Sequence, residues 1–292
     1  VRTLLLLIRR EYWEHRVLWS APLVLAAIYL LLCMLPTAVA PGGMWSGQMP
    51  GSAAAGVRLF VRLQVLFAGC LFALLAIVEF FYLTDCLYAE RRDRSILFWK
   101  SLPVSDSATV LSKLLVAVLV TPLGVLLLAI VVNTLAFGAL YIRLREHPFA
   151  WKFMQWDTAA WLRLNGALLL HVPVLALWYA PLAGYQLLVS AWARSSVFVW
   201  TVLPLLALSL AERFAFGSWD FGNYLMYRIL GGFDVFRDGI TLRGVTAETF
   251  ESLAQTKSAL QMLARKDLWI GVAVAAGFVF AAIRIRRYRD DT

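Results

Sequence analysis

Residues 59–83 read LFVRLQVLFAGCLFALLAIVEFFYL, and residues 84–100 continue TDCLYAERRDRSILFWK. Past Arg62 the first stretch carries a single charged residue, Glu79. About 20 predominantly apolar residues suffice to cross ~30 Å of hydrocarbon as a helix. No helix breaker occurs before Pro103. A helix from Leu59 to about Arg92 is ~50 Å long at a rise of 1.5 Å per residue. It exceeds the bilayer and projects from it, carrying its charges into water. An apolar span that ends abruptly in a charged run predicts a membrane protein.

The rest of the chain agrees. Its 292 residues are 61% hydrophobic and 15% charged, and its mean hydropathy is +0.74. Soluble domains are roughly 45–50% apolar and about 25% charged. A soluble chain of this size leaves about a quarter of its surface exposed, and here too little polar material exists to cover it. Soluble enzymes, disordered proteins and disulfide-stapled secreted domains are excluded. The net charge is +9, from 27 Lys+Arg against 18 Asp+Glu. No basic run interleaves with aromatics on a soluble module, so nucleic acid is not the expected partner. Anionic membrane lipid is. Cys33, Cys70 and Cys86 form no C-x-x-C pair, which leaves neither a zinc site nor a disulfide framework.

Six apolar segments predict an all-α polytopic fold, a single transmembrane domain over 1–292. The spans fall near 17–35, 59–83, 114–141, 166–190, 197–210 and 268–283, the fifth extending through Phe214 and Phe216 if Glu212 and Arg213 lie in its last turn. Ala38-Val39-Ala40 looks like a cleavage site, but the preceding run is longer than a usual signal-peptide core. An uncleaved first span is expected. Arg2, Arg9, Arg10 and Arg16, the cluster Arg91–Lys113, and the tail Arg284–Arg289 alternate with six spans if both termini are cytoplasmic. Residues 36–57 contain no Lys or Arg and belong outside. The loop 211–267 is external, although residues 212–267 carry seven basic residues.

Residues 2–16, RTLLLLIRREYWEHR, place Arg2, Arg9 and Arg16 on one helix face beside a Leu run and Trp13. This predicts an interfacial helix ahead of the first span. Phe214–Leu230 is aromatic and apolar, and either re-enters the outer leaflet or lies on it. Thr246–Ala264 has the spacing of an amphipathic helix.

Catalytic constellations are missing. No Walker loop, H-E-x-x-H or G-x-S-x-G motif occurs, and no metal site is expected from His15, His147 and His171. Intramembrane polar groups are costly and usually functional. Glu79 lies ~30 Å past Leu59 along the helix, which puts it near the inner interface, while His171 lies about a turn into span four from the outside. A carrier driven by ions or protons needs a charged or broken helix at the midplane; here the energy must come from elsewhere. Pro173 and Pro181 interrupt the hydrogen bonding of span four and are candidate hinges. Trp178, Tyr179 and Tyr185 are candidate linings of a path for amphiphilic cargo.

The segment 84–113 reads as a cytoplasmic coupling loop. Glu90, Arg91, Arg92, Asp93, Arg94 and Lys100 supply charge for specificity, and Phe98 with Trp99 an aromatic anchor for a partner's cleft. Here the sequence resembles the permease subunits of type-2 ABC exporters. Their second span is followed by Glu-Arg-x-x-Gly-Thr-Leu-Glu, then Leu-x-x-x-Pro-x-Ser, then a Lys opening the third span. Glu90-Arg91, Pro103, Ser105 and Lys113 fit; Arg94-Ser95-Ile96-Leu97-Phe98 stands where the Gly-Thr-Leu-Glu is expected. Arg10-Glu11-Tyr12-Trp13-Glu14 resembles the interfacial helix of the same group. The resemblance implies an inner-membrane complex of two permease chains, identical or homologous, with two separate ATPase subunits. ATP and Mg are then bound by those partners, not by this chain, and cargo moves outward. The aromatic segment after span five is implied to cap the outer side. Two other readings of the residues stand beside it: an intramembrane enzyme on a lipid-linked substrate, using Glu79 or Asp85 with His171, and a non-transporting scaffold.

Overall fold

The computed structural model describes residues 2–35, 53–96, 101, 104–144, 158–233 and 261–288. No strand occurs among them. The loop at 36–52, the aromatic pair Phe98–Trp99 with Lys100, and residues 246–260 of the helix expected over Thr246–Ala264 lie outside the described residues. Helix α1 covers Arg2–Glu14, α2 Val17–Met34 and α3 Ala53–Arg92. Helix α4, Asp106–Leu115, runs through a π-helical turn, Val116–Val120, into α5, Thr121–Leu144. Helix α6 covers Thr158–Trp192, α7 Val197–Phe216, α8 Asp220–Leu230 and α9 Lys266–Tyr288.

Among the described residues six helical stretches are long and apolar enough to cross a membrane: 17–34, 63–92, 106–142, 161–192, 197–216 and 266–288. The outward faces are apolar as well, with Leu23, Ile28, Leu31, Leu203 and Leu206 exposed. Such a surface suits lipid and not water.

Two polar contacts fix how α3 and α6 lie together. At one end the Gln64 amide donates to Asn165 Oδ1 (3.1 Å), with Asn133 of α5 donating to the Gln64 carbonyl (3.4 Å). At the other, Ser190 Oγ accepts from the N–H groups of Leu87 and Tyr88, both at 3.1 Å. The sequence offset is 101 at the first contact and 103 at the second, so the two helices run parallel in constant register. Between them Leu71, Leu75, Leu126, Ala129 and Val172 form the main core, against which Tyr29 stacks on Phe67 at 4.0 Å. Helices α6 and α9 approach closely through small residues. A Cβ at Gly184 would stand 3.2 Å from the Ala275 carbonyl oxygen.

The helices outrun the apolar segments. Helix α3 continues to Arg92 because Cys86 and Leu87 still pack against Leu187 and Ala191. Ser105 caps α4, its hydroxyl accepting from Ala108 N–H at 3.2 Å; a serine here satisfies one of the unpaired amides of the first turn. Of the segment expected as a loop over 84–113, residues 84–92 belong to α3 and 106–113 to α4. The π turn has a local cause. Pro122 has no N–H to give and crowds the preceding turn, and the Thr121 N–H and hydroxyl (2.8 Å) both donate to the Val116 carbonyl. Pro173 and Pro181 lie inside α6, which stays helical through both.

Helix α7 ends at Phe216. Gly217 takes φ 71° and its N–H donates to the Arg213 carbonyl; the left-handed conformation is open to glycine at little cost. The Glu212 carboxylate then accepts from the N–H groups of Asp220 (3.0 Å) and Phe221 (2.9 Å). This anchors the start of α8, an end where a negative charge is favourable. Helix α8 folds back along α7 with Gly222 against Ser209. Its far end meets α6, where Trp178 donates to the Arg228 carbonyl (2.9 Å) and Tyr179 to that of Ile229 (2.9 Å).

Candidate functional site

Two places in the fold hold ionisable side chains away from water. The first is a buried ionic cluster that gathers α1, α3, α4 and α9 at one end of the bundle. Lys113 Nζ lies 2.8 Å from Glu11 Oε1 and 3.1 Å from Glu90 Oε1. Arg286 donates from Nη1 to Glu90 Oε2 (2.5 Å) and from Nε to Asp106 Oδ1 (3.1 Å). Tyr82 donates to Glu11 Oε2 at 3.0 Å. Glu11 and Lys113 are 1% exposed, Glu90 and Arg286 4%. Buried charges at such sites persist only when paired and hydrogen-bonded. His15 sits 3.7 Å from Glu11 Oε2 and edge-on to Tyr82. Burial pushes its imidazole below the ordinary value and outweighs the pull of Glu11, so His15 is neutral at pH 7.

The cluster redistributes the roles expected of the coupling segment. Glu90 faces inward onto Lys113 and Arg286. Arg91 donates from Nη2 to the carbonyls of Ser190 and Ala193, both at 2.7 Å, capping the C-terminus of α6. Both groups are therefore engaged within the chain. The outward tip of α3 is formed by Arg92 and Asp93, paired at 3.0 Å and more than half exposed, followed by Arg94. Arg94 takes φ 56°, a left-handed conformation that costs a residue with a Cβ about 1–2 kcal/mol.

The second place is a cavity of about 600 Å³ bounded by α3, the π turn and start of α5, α6, α7 and α8. Tyr179, Tyr185 and Glu79 line it; Trp178, Pro173, Pro181 and His171 do not. Glu79 lies six residues outward of the half-exposed Asp85, ~9 Å along the axis. Trp178 is fully buried on the far side of α8, under Arg228. The Arg228 guanidinium stands 4.4 Å over the Trp178 ring. It is buried, and none of its three nitrogens has a hydrogen-bond partner among the described residues. The ring face and the peptide contact at Trp178 Nε1 hold it there. His171 Nδ1 contacts the Ala167 carbonyl at 3.0 Å. By the constant register of α3 and α6, His171 and Glu79 are separated by ~16 Å along the bundle axis, too far to act on one reacting group.

Sequence reasoning missed Arg228, Arg286 and Asp106 as site residues. Arg286 had a signal, since it is the one tail arginine whose helical phase matches the buried Val279 and Ala282. Arg228 offered none, because its burial depends on α8 folding back. No protein-family model, curated protein or solved structure matches the chain.

Proposed function

We propose that the chain is the membrane permease subunit of an ATP-driven exporter, of the kind its coupling segment resembles. It works with two separate ATPase subunits and a second permease chain in the plasma membrane, with both termini on the ATPase side. The observation that carries this reading is the construction of the α3 tip. Arg92, Asp93 and Arg94 face outward, while Glu90, four or fewer residues behind them, is ion-paired to Lys113 of α4 and Arg286 of α9. A push on the tip is thereby delivered to α1, α4 and α9 together. Interactions between buried, oppositely charged groups are stiff because losing one partner is expensive.

Two details of the motif acquire physical roles under this reading. Its Glu and Lys, here Glu90 and Lys113, are partners 3.1 Å apart across the loop. Its Gly aligns with Arg94, whose φ of 56° is a glycine conformation. Helix α1 leaves Leu5, Leu6 and Trp13 exposed while Leu7 and Glu11 pack inward, as suits a helix lying in the interface. The cavity against the returning α8 is the cargo site, and α8 its outer cover.

The test is co-purification in mild detergent from the native membrane, followed by ATP hydrolysis. Wild type retains a nucleotide-hydrolysing partner; Arg92→Ala/Asp93→Ala/Arg94→Ala loses it without losing membrane insertion or thermal stability. A chain that purifies alone without hydrolysis removes the exporter reading.

A further inference from the structure

Glu79 is the only acidic or basic side chain among the residues that line the cavity. Its Oε1 is buried and has no hydrogen-bond partner among the described residues. The other titratable groups facing the cavity are already committed. Tyr185 donates to the carbonyls of Trp200 and Thr201 (3.3 and 3.1 Å), and Tyr179 to that of Ile229 (2.9 Å). No lysine or arginine lines the cavity, and the cations of the ionic cluster are matched to Glu11, Glu90 and Asp106.

A lone carboxylate in an apolar wall is strongly disfavoured unless a cation or a proton meets it. Glu79 shares the cavity wall with Val118 of the π turn and with Pro122. Single π turns of this kind are frequent at functional sites. Phe80 and Tyr185 present rings to the same cavity, and aromatic faces with a carboxylate are the combination that holds an alkylammonium group. Away from Glu79 the wall is mainly apolar, with Leu205, Met226 and Phe233, and its neutral polar side chains include Gln186, Thr201, Ser209 and Asn223. A volume of about 600 Å³ falls within the ~300–1,000 Å³ of small-molecule sites.

We propose that this cavity binds a cationic amphiphile, a molecule with one ammonium head on an apolar body. Glu79 receives the head, and the wall against α7 and α8 receives the body. As a statement about cargo this rests on the exporter reading; as a statement about binding it does not.

The test uses the full chain in zwitterionic lipid nanodiscs, with empty nanodiscs as the blank. Dodecylammonium, dodecanol and dodecyl sulfate share a tail and differ in head charge, and binding is read by calorimetric titration. Wild type binds dodecylammonium about tenfold tighter than dodecanol, with the sulfate weakest. In Glu79→Gln, which keeps the shape of the protonated acid, the ammonium preference falls to within about twofold. Leu205→Trp fills the cavity and weakens all three probes alike, which keeps the site testable if Glu79→Gln does not fold. Equal binding of ammonium and alcohol by wild type overturns the proposal and marks Glu79 as a carboxyl kept neutral. Ammonium preference that survives Glu79→Gln also overturns it. No step of this test involves an ATPase. Ammonium-selective binding by a chain without an associated ATPase leaves this inference intact and removes only the exporter reading, and the reverse result removes only this one.

Discussion

Glu90→Gln is the perturbation that most directly tests the ionic cluster. The substitution keeps the size of the side chain and removes its charge. Glu90 is 4% exposed and meets Lys113 at 3.1 Å and Arg286 at 2.5 Å. Removing one partner of a buried ion pair costs about 3–5 kcal/mol. Here neither cation is orphaned, since Lys113 keeps Glu11 at 2.8 Å and Arg286 keeps Asp106 at 3.1 Å. The cost belongs at the lower end, about 3 kcal/mol. For a chain of this size that corresponds to a fall of roughly 6–12 °C in the unfolding midpoint. Lys113→Met is worse. It leaves Glu11, 1% exposed, with only the Tyr82 hydroxyl and a neutral His15, and its cost approaches about 5 kcal/mol.

The decisive measurement is the double variant. Glu90 and Lys113 touch, so their effects overlap, and the double variant loses at least about 1 kcal/mol less than the sum of the singles. Tryptophan-fluorescence melts of the solubilised protein read all three. Additivity to within about 0.5 kcal/mol would refute the direct pairing. A midpoint for Glu90→Gln equal to that of wild type would refute the burial of the cluster altogether.

Two further outcomes follow from backbone geometry. Arg94→Gly relieves the left-handed conformation at φ 56° and raises the midpoint, by an amount corresponding to at most about 1 kcal/mol once the freedom of glycine in the unfolded chain is counted; a fall refutes the conformation at position 94. Gly184→Ala brings a Cβ to 3.2 Å from the Ala275 carbonyl and costs about 1–3 kcal/mol by overpacking α6 against α9. Gly166→Ala on the same helix meets nothing within 4 Å and gains up to about 1 kcal/mol in helix propensity, so equal effects of the two substitutions in melts would refute the close approach.

Much of the fold is written in local sequence. Periods of apolar residues longer than a turn or two leave the helix as the only way to satisfy backbone groups in hydrocarbon. Leu59–Leu83 therefore announces its structure without reference to any other segment, and so does the composition of the chain. The cap at Ser105 and the left-handed Gly217 are local too, because a cap needs only a few neighbouring residues. Helix ends were less legible at Thr158, where α6 begins eight residues ahead of the apolar run at Gly166. There the extension is held by Asn165, whose partner Gln64 is 101 residues away.

The candidate sites depend on distance of another kind. The charge of Glu90 is visible in the sequence, and it suggests an outward-facing group. Its direction is set by Lys113 and by Arg286, 196 residues away, which no local pattern reveals. Glu79 is equally visible, but the cavity around it is assembled from α3, α5, α6, α7 and the returning α8. The sequence by itself determined the class of protein, the six apolar helices and the charged tip after the second, because hydrophobicity and helix periodicity act residue by residue. Only the tertiary structure decided which charges are spent inside the chain and which carboxylate faces a cavity without a hydrogen-bond partner among the described residues, because pairing is a property of where helices meet.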